Sequence, residues 1–531
     1  MGMTTTAAWR RVTRTGEGDG VPTAAYRVAA AVALALLVLA ALGAVLGPQW
    51  DPELMHDSIP VTTRSTAIGD APLAQTYEVR TEDVRVELDG GWVEARLSLP
   101  VGATGPLPGV VFVHGAGTGR FAQAFVTQAH ALAASGVVAM VPNKRLDTYT
   151  LRHRDYVEMA ADYARSVDVL RARPEVDPAR VGVYAESEGG WIAPVMAAQD
   201  PDLAFVVLVS SPVVPPRQQA AFAVDAYLRN TGVPQGVFRA IPRAVGLTSF
   251  PGGNFDYIDF DVTPYQQRMT QPVLVVYGTG DVSMPIEQGA LQVLHDTAQA
   301  GNDDVTVRYY DGANHGIRVG GDVVPSFLRD LSGWVRGLPG TAGATPQVAG
   351  EQPTQVYVAG PVPQPRWLVD GSVMLATVVA AAGMLALAGT AVALDRGVHE
   401  VRVRRRRDLT ADERAGHRLA PGVVGPLVAL GAGAAVTVVA LVWYLLAVAR
   451  LAMDYQRDPW VVQGGWLAVR LLGIMTVVAA VLLGRRVGAA RRAGRRVAPG
   501  LVRTAAVGVV VAGAGVLLVV LAYWGVYQLG I

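Results

Sequence analysis

Five stretches of apolar residues interrupt this chain, at about 25–46, 371–394, 424–448, 466–483 and 505–526. Roughly twenty such residues let a helix cross the hydrocarbon core of a bilayer, where each backbone N–H and C=O must be satisfied within the segment. The 531 residues are 51% hydrophobic and 17% charged, too apolar a balance for a soluble chain. Arginine enters two of the stretches only, as Arg27 and Arg470, each near an end where a long side chain reaches the headgroups. Five membrane passages are therefore expected.

The arginines set the orientation. Arg10, Arg11, Arg14 and Arg27 sit at the N-terminal side, and Arg402 with Arg404, Arg405, Arg406 and Arg407 lies between the second and third stretches. Arg485, Arg486, Arg491, Arg492, Arg495 and Arg496 separate the fourth from the fifth. Between the third and fourth, Arg450 and Arg457 are offset by Asp454 and Asp458. Five crossings put all three basic segments on one side, which the positive-inside bias makes the cytoplasm. Residues from about 48 to 368 and the C-terminus are then expected outside, in a multi-pass cell-membrane protein surrounded by lipid. The first stretch reads as a signal anchor, because its apolar core exceeds the roughly 7–15 residues of a signal peptide. Cleavage there would leave four spans with the same sidedness.

Composition also removes whole classes of function. A net charge of +1 gives no case for a nucleic-acid partner, and the arginine runs serve as cytoplasmic anchors. The chain has no cysteine, which excludes disulfides, thiolate metal sites and a cysteine nucleophile. The histidines show no metal-ligand spacing, so neither metal nor cofactor is expected. Gly115-Ala-Gly117-Thr-Gly119-Arg120 misses the final glycine of a dinucleotide loop, and the one lysine, Lys144, is not in a phosphate loop.

Between the first and second spans the pattern changes. Residues 81–99 alternate apolar and polar around Asp89-Gly90-Gly91, the mark of a hairpin. Apolar runs then alternate with helical segments from Gly109 to Arg336, with a strand at 136–141, a helix at 156–170 and a strand at 205–209. That alternation predicts a doubly wound, mostly parallel α/β sheet. Strand signals vanish over about 212–270, where an inserted helical lid is expected. Residues 341–368, rich in Gly, Pro, Thr and Gln, read as a linker. The expected organisation is a cytoplasmic segment 1–24, a span at 25–47, an extracytoplasmic domain at 48–340, the linker, and a four-helix membrane region at 369–531.

The chemistry-bearing motif is Val-Gly-Val-Tyr-Ala-Glu-Ser-Glu-Gly-Gly at 181–190. A β-branched run enters a serine among small residues and a helix-compatible stretch follows, the layout of a nucleophile elbow. The usual G-x-S-x-G is here Ala185-Glu186-Ser187-Glu188-Gly189, one methyl away. Three further strand ends carry the groups such a serine needs. Gly109-Val-Val-Phe-Val113 breaks into His114-Gly115-Ala116-Gly117, Pro272–Tyr277 into Gly278-Thr279-Gly280-Asp281, and Val305–Tyr310 into Asp311-Gly-Ala-Asn-His315. Serine, then acid, then histidine, each beyond a strand, is the chain order of α/β-hydrolases. Asp311, Asp259 and Asp261 compete with Asp281 for the acid. His114 reads as a loop-shaping hydrogen bonder. Glu186 and Glu188 read as solvated, or as a bias against anionic substrates.

On those phrases, residues from about 77 to 336 resemble an α/β-hydrolase of the bacterial esterase and dienelactone-hydrolase-like group, close to the catalytic domains of the prolyl oligopeptidase clan. The resemblance implies Ser187 as nucleophile, Asp281 as acid, His315 as base, and the N–H groups of Ala116 and Glu188 as oxyanion donors. It leads to the expectation of a membrane-anchored serine hydrolase that cleaves small-molecule or lipid carboxylic esters through an acyl-enzyme. A peptidase or acyltransferase of envelope components shares that chemistry. The alternative from another class is a non-catalytic sensor on a multi-pass membrane protein.

Overall fold

The computed structural model describes residues 23–73, 75–405, 418–453 and 456–528. Arg10, Arg11, Arg14, Arg406, Arg407 and Asp454 lie outside the described residues. The chain divides into two compact units.

One unit is helical. It holds helix α1 (Thr23–Leu46) and most of the helices Gly371–Arg405, Val424–Met453, Gly465–Arg492 and Gly500–Tyr523. All five are long and apolar enough to cross a membrane, with mean hydropathies between 2.0 and 2.8. Three run well beyond the apolar stretches, because arginine at a helix C-terminus is compatible with helix and favoured by its dipole. Thus Gly371–Arg405 carries Arg402, Arg404 and Arg405 in its last turn, and Gly465–Arg492 ends on Arg491 and Arg492. Gly500–Tyr523 starts earlier than the hydropathy indicates and takes in Arg503, whose Nε donates to Asp395 at 2.6 Å.

The other unit is built on a nine-stranded sheet. Its strands are β1 (Val79–Leu88), β2 (Gly91–Pro100), β3 (Leu107–Val113), β4 (Val138–Pro142), β5 (Val176–Glu186), β6 (Val206–Val209), β7 (Val273–Gly278) and β8 (Val305–Tyr310). A two-residue hairpin (β9, Arg318–Val319; β10, Asp322–Val323) stands apart, and β11 (Val348–Gly350) completes the sheet. The order is β1-β2-β4-β3-β5-β6-β7-β8-β11. Within this nine-stranded sheet only β1–β2 and β2–β4 pair antiparallel. Leu88 faces Gly91 across the tight turn, where Gly90 takes φ 72°.

Alternation along each strand explains the two-sided burial. Val111, Val113, Val183, Ala185, Leu208 and Val275 enter one core, while Val110, Phe112, Tyr184, Val207 and Val276 enter the other. Helices α2 (Val126–Ala134), α3 (Tyr156–Arg171), α4 (Gly189–Gln199), α8 (Ile286–Gln299) and α9 (Pro325–Gly337) follow the strands. Asp155 caps α3, accepting from the backbone N–H groups of Val157 and Glu158. Between β6 and β7 the insertion is helical: α5 (Pro216–Asn230), α6 (Ala240–Val245) and α7 (Thr263–Gln266).

The linker expected at 341–368 is corrected by the fold. Val348–Gly350 pairs parallel with β8 and extends the sheet. Arg308, fully buried on β8, spends its guanidinium on the carbonyls of Thr66, Pro346 and Gln347 at 3.0–3.1 Å. Farther on, Gln355 accepts from the N–H of Glu287 at 3.0 Å, and Leu54 bridges Tyr357. Gly and Pro content signalled a loop, but the backbone of 346–350 is bonded to β8 and the Gln355 side chain to α8. Residues 444–466 also belong to this unit. Tyr227 Oη donates to Gln456 O at 2.8 Å, and Tyr444 Oη to Val462 O at 3.0 Å.

Candidate active site

Ser187 sits between β5 and α4 in the left-handed region, at φ 57°. A non-glycine residue there is uncommon and costs energy, so its neighbours must enforce it. They do so by hydrogen bonds and close approach. Ser187 N donates to Val209 O at 3.0 Å, and Gly190 N to Ser187 O at 2.8 Å. A Cβ on Gly189 would stand 2.8 Å from Val113 O, so the small residue after the serine is a packing requirement. Ala185, in the position usually held by glycine, is fully buried in the core.

Beyond β7, Asp281 is buried and its Oδ2 lies 2.7 Å from His315 Nδ1. Its Oδ1 accepts from Ser283 N at 2.9 Å and Ser283 Oγ at 2.6 Å. Burial pushes the Asp281 pKa up, but the charge of His315 and these hydrogen bonds outweigh it and hold the carboxyl below its usual value. For His315, burial acts downward, while Asp281 and more weakly Glu186 act upward, leaving the imidazole pKa raised. The competing acids are placed elsewhere: Asp311 is exposed, Asp259 pairs with Arg217 at 2.6 Å, and Asp261 accepts from Thr263 N at 3.0 Å. Among the described residues no hydrogen bond joins Ser187 Oγ to His315. Such contacts are commonly long without substrate and tighten around it.

The loop after β3 runs beside the serine. A Cβ on Gly115 would lie 3.0 Å from Ser187 Cβ and 3.6 Å from its Oγ. Among the described residues, neither Ala116 N nor Glu188 N donates to a backbone carbonyl outside the regular elements. His114 shapes this loop as expected. Its Nε2 donates to Pro142 O at 2.7 Å, which leaves Nδ1 to accept from Thr118 Oγ1 at 3.2 Å. Burial lowers its pKa to about 4, so the ring stays neutral.

The reading of Glu186 and Glu188 as solvated is corrected. Glu188 is buried, and its carboxylate takes Lys144 Nζ at 2.9 Å, Arg154 Nη1 at 2.6 Å and Tyr149 Oη at 3.0 Å. Two cations surround one carboxylate, so this group brings no negative charge to bear on a substrate. Glu186 accepts from Tyr184 Oη at 3.2 Å, and burial raises its pKa. Sequence reasoning missed Lys144, Tyr149 and Arg154, which lie in the aperiodic loop before α3. The unusual feature that marked them was a lone lysine in an arginine-rich chain.

The insertion of α5–α7 borders the same region. Trp191 Nε1, on α4, donates to Val214 O at 3.0 Å, and Gln219 Nε2, on α5, to Ser283 O at 2.6 Å. Arg154 stacks its guanidinium 4.6 Å from the ring centre of Tyr257.

This strand order, with Ser187 leaving β5 and Asp281 and His315 leaving β7 and β8, is the layout of the α/β-hydrolase fold. Residues 160–320 match the family described as BAAT / Acyl-CoA thioester hydrolase C terminal. Among solved structures, the chain is similar to dienelactone hydrolase from Anabaena variabilis, with 18% identity and TM-score 0.33 over 49% of this chain and 97% of that one. It is similar to Est1E from Butyrivibrio proteoclasticus, with 17% identity and TM-score 0.33 over 48% and 96%. Acylaminoacyl peptidase of Pyrococcus horikoshii aligns with 18% identity and TM-score 0.35 over 48% of this chain but only 40% of the peptidase. No curated protein matches the chain.

Proposed function

We propose that the protein is a membrane-anchored serine hydrolase that cleaves carboxylic esters on the outer side of the cell membrane. Ser187 attacks the acyl carbon, and His315 takes its proton and returns it to the leaving alcohol. Asp281 fixes the imidazole and offsets its charge, and the N–H groups of Ala116 and Glu188 receive the oxyanion. Water then repeats the sequence on the acyl-enzyme. The observation that carries this reading is the Asp281–His315 contact at 2.7 Å together with a serine held at φ 57° at the β5–α4 turn. The description of the matching family adds thioesters to the acyl compounds worth testing.

The outward orientation has its own support. The loop between the third and fourth spans lacks an arginine run, and two residues at it, Gln456 and Gln463, hydrogen-bond to Tyr227 and Gly232 of the hydrolase unit. These contacts support a common side for that loop and the hydrolase unit, which is what the arginine pattern predicts.

The test is labelling of the full-length protein by a fluorophosphonate. Wild type should label, and Ser187→Ala should not. An unlabelled, folded wild type would turn the reading to a non-catalytic sensor. A panel of esters, thioesters and peptides then ranks the substrate classes.

A further inference from the structure

Lys144 is the only lysine in the sequence, and it is almost fully buried just beyond β4. Its ammonium makes two contacts of different kinds. Nζ donates to Gly115 O at 2.6 Å and to Glu188 Oε2 at 2.9 Å. Its backbone N also donates to Gly119 O at 2.8 Å, so one residue clasps the glycine loop at both ends.

One side-chain contact falls on the peptide that carries the Ala116 N–H, the other on the side chain of Glu188, the residue of the second oxyanion donor. Gly115 C=O and Ala116 N–H are opposite ends of one trans planar peptide. Fixing the oxygen toward Lys144 turns the Ala116 N–H the other way and fixes its direction. A cation at the oxygen end also polarises the amide and strengthens its N–H as a donor. On the other arm, Lys144 holds the carboxylate of Glu188, whose backbone N–H is the second donor. Arg154, Tyr149 and Tyr156 hold the same carboxylate at 2.6, 3.0 and 3.4 Å, so it has little freedom to turn.

We infer that Lys144 is the positioning residue of the oxyanion hole, a single ammonium that locks the Ala116 and Glu188 donors into register with each other. The inference rests on the serine-hydrolase reading above. Lys144 does not touch the substrate; it acts through the two peptides it orients. An ammonium suits this place because it is compact enough to meet a carbonyl, a carboxylate and the ring of Tyr149, 4.4 Å away, at once. Oxyanion donors act only when charge develops on the substrate oxygen, so the loss should fall on the transition state and spare substrate binding.

The experiment uses full-length Lys144→Met, which keeps the length and apolar stem of the side chain. Turnover of a soluble ester should fall roughly 10–100-fold in kcat with KM nearly unchanged. Affinity for a trifluoromethyl ketone, which becomes a tetrahedral oxyanion on Ser187, should weaken in parallel, while affinity for the product acid stays the same. A kcat close to wild type overturns the inference. Equal weakening of the ketone and the product acid also overturns it, since that marks a collapsed pocket. If Lys144→Met fails to unfold cooperatively, Glu188→Gln takes its place: it keeps the backbone donor but loosens the grip of Lys144. A several-fold drop in kcat with KM and product-acid affinity unchanged is then expected, and an unchanged kcat overturns the inference. Failure of the hydrolase reading is separate, because it appears as an unlabelled Ser187 in wild type.

Discussion

Asp281 Oδ2 approaches His315 Nδ1 at 2.7 Å, although the two residues leave different strands. A neutral imidazole donates from the nitrogen facing the carboxylate, so its other nitrogen is left as the base. Asp281→Asn should therefore lower ester turnover by a factor on the order of 10³ or more, and Asp311→Asn should leave it near wild type. Steady-state kinetics of the two variants decides the matter; the reverse pattern would move the acid to Asp311.

The pH profile follows from the same pair. In the proposed mechanism His315 must be neutral to accept the serine proton, so kcat/KM should rise as pH climbs through its pKa. That pKa is raised, with Asp281 as the main upward cause and Glu186 a lesser one, so the acidic limb should lie above the ordinary histidine value. Glu186→Gln removes the lesser contribution and should move the limb to lower pH. A limb that shifts upward in Glu186→Gln would contradict this account.

Topology is testable apart from catalysis. Reporter fusions near Thr150 should read as external, and fusions at Arg404–Arg405 as cytoplasmic. Protection of the hydrolase from protease added outside intact cells would overturn the proposed orientation.

Truncation should expose the role of β11. A fragment of residues 50–340 stops before Pro346, Gln347 and β11, leaving buried Arg308 without two of its carbonyl partners and β8 as an open edge. It should melt at least several degrees below a fragment of residues 50–366, or aggregate through the bare strand. Equal melting temperatures would show that the strand contributes little.

How much of this was legible in the sequence depends on how far each signal is local. The strands and elbow announce themselves, since a strand buried on both faces must be apolar throughout, as 109–113 and 272–277 are. Asp281 and His315 were legible for the same reason: each follows such a run. Strand β11 was not, because three residues among Gly, Pro, Thr and Gln carry no periodicity and are fixed by distant partners, β8 and the Thr63 carbonyl. The surroundings of Glu188 were hidden too. Lys144, Tyr149 and Arg154 obey no repeat, and only the tertiary fold gathers them round one carboxylate.

The tie between Tyr227 and Gln456 has a consequence for modularity. About 94 residues beyond the last sheet strand (Gly350 to Tyr444), from the C-terminal part of the second apolar helix onward, the chain returns to complete this unit with residues 444–466. The hydrolase is thus not a cassette that one cut can remove intact. Any fragment ending before the second span strands the Tyr227 hydroxyl and the Gly232 carbonyl, each paired with a residue encoded far downstream. Shuffling of this hydrolase onto another anchor would have to carry the distant loop with it, which binds enzyme and membrane helices into one inherited piece.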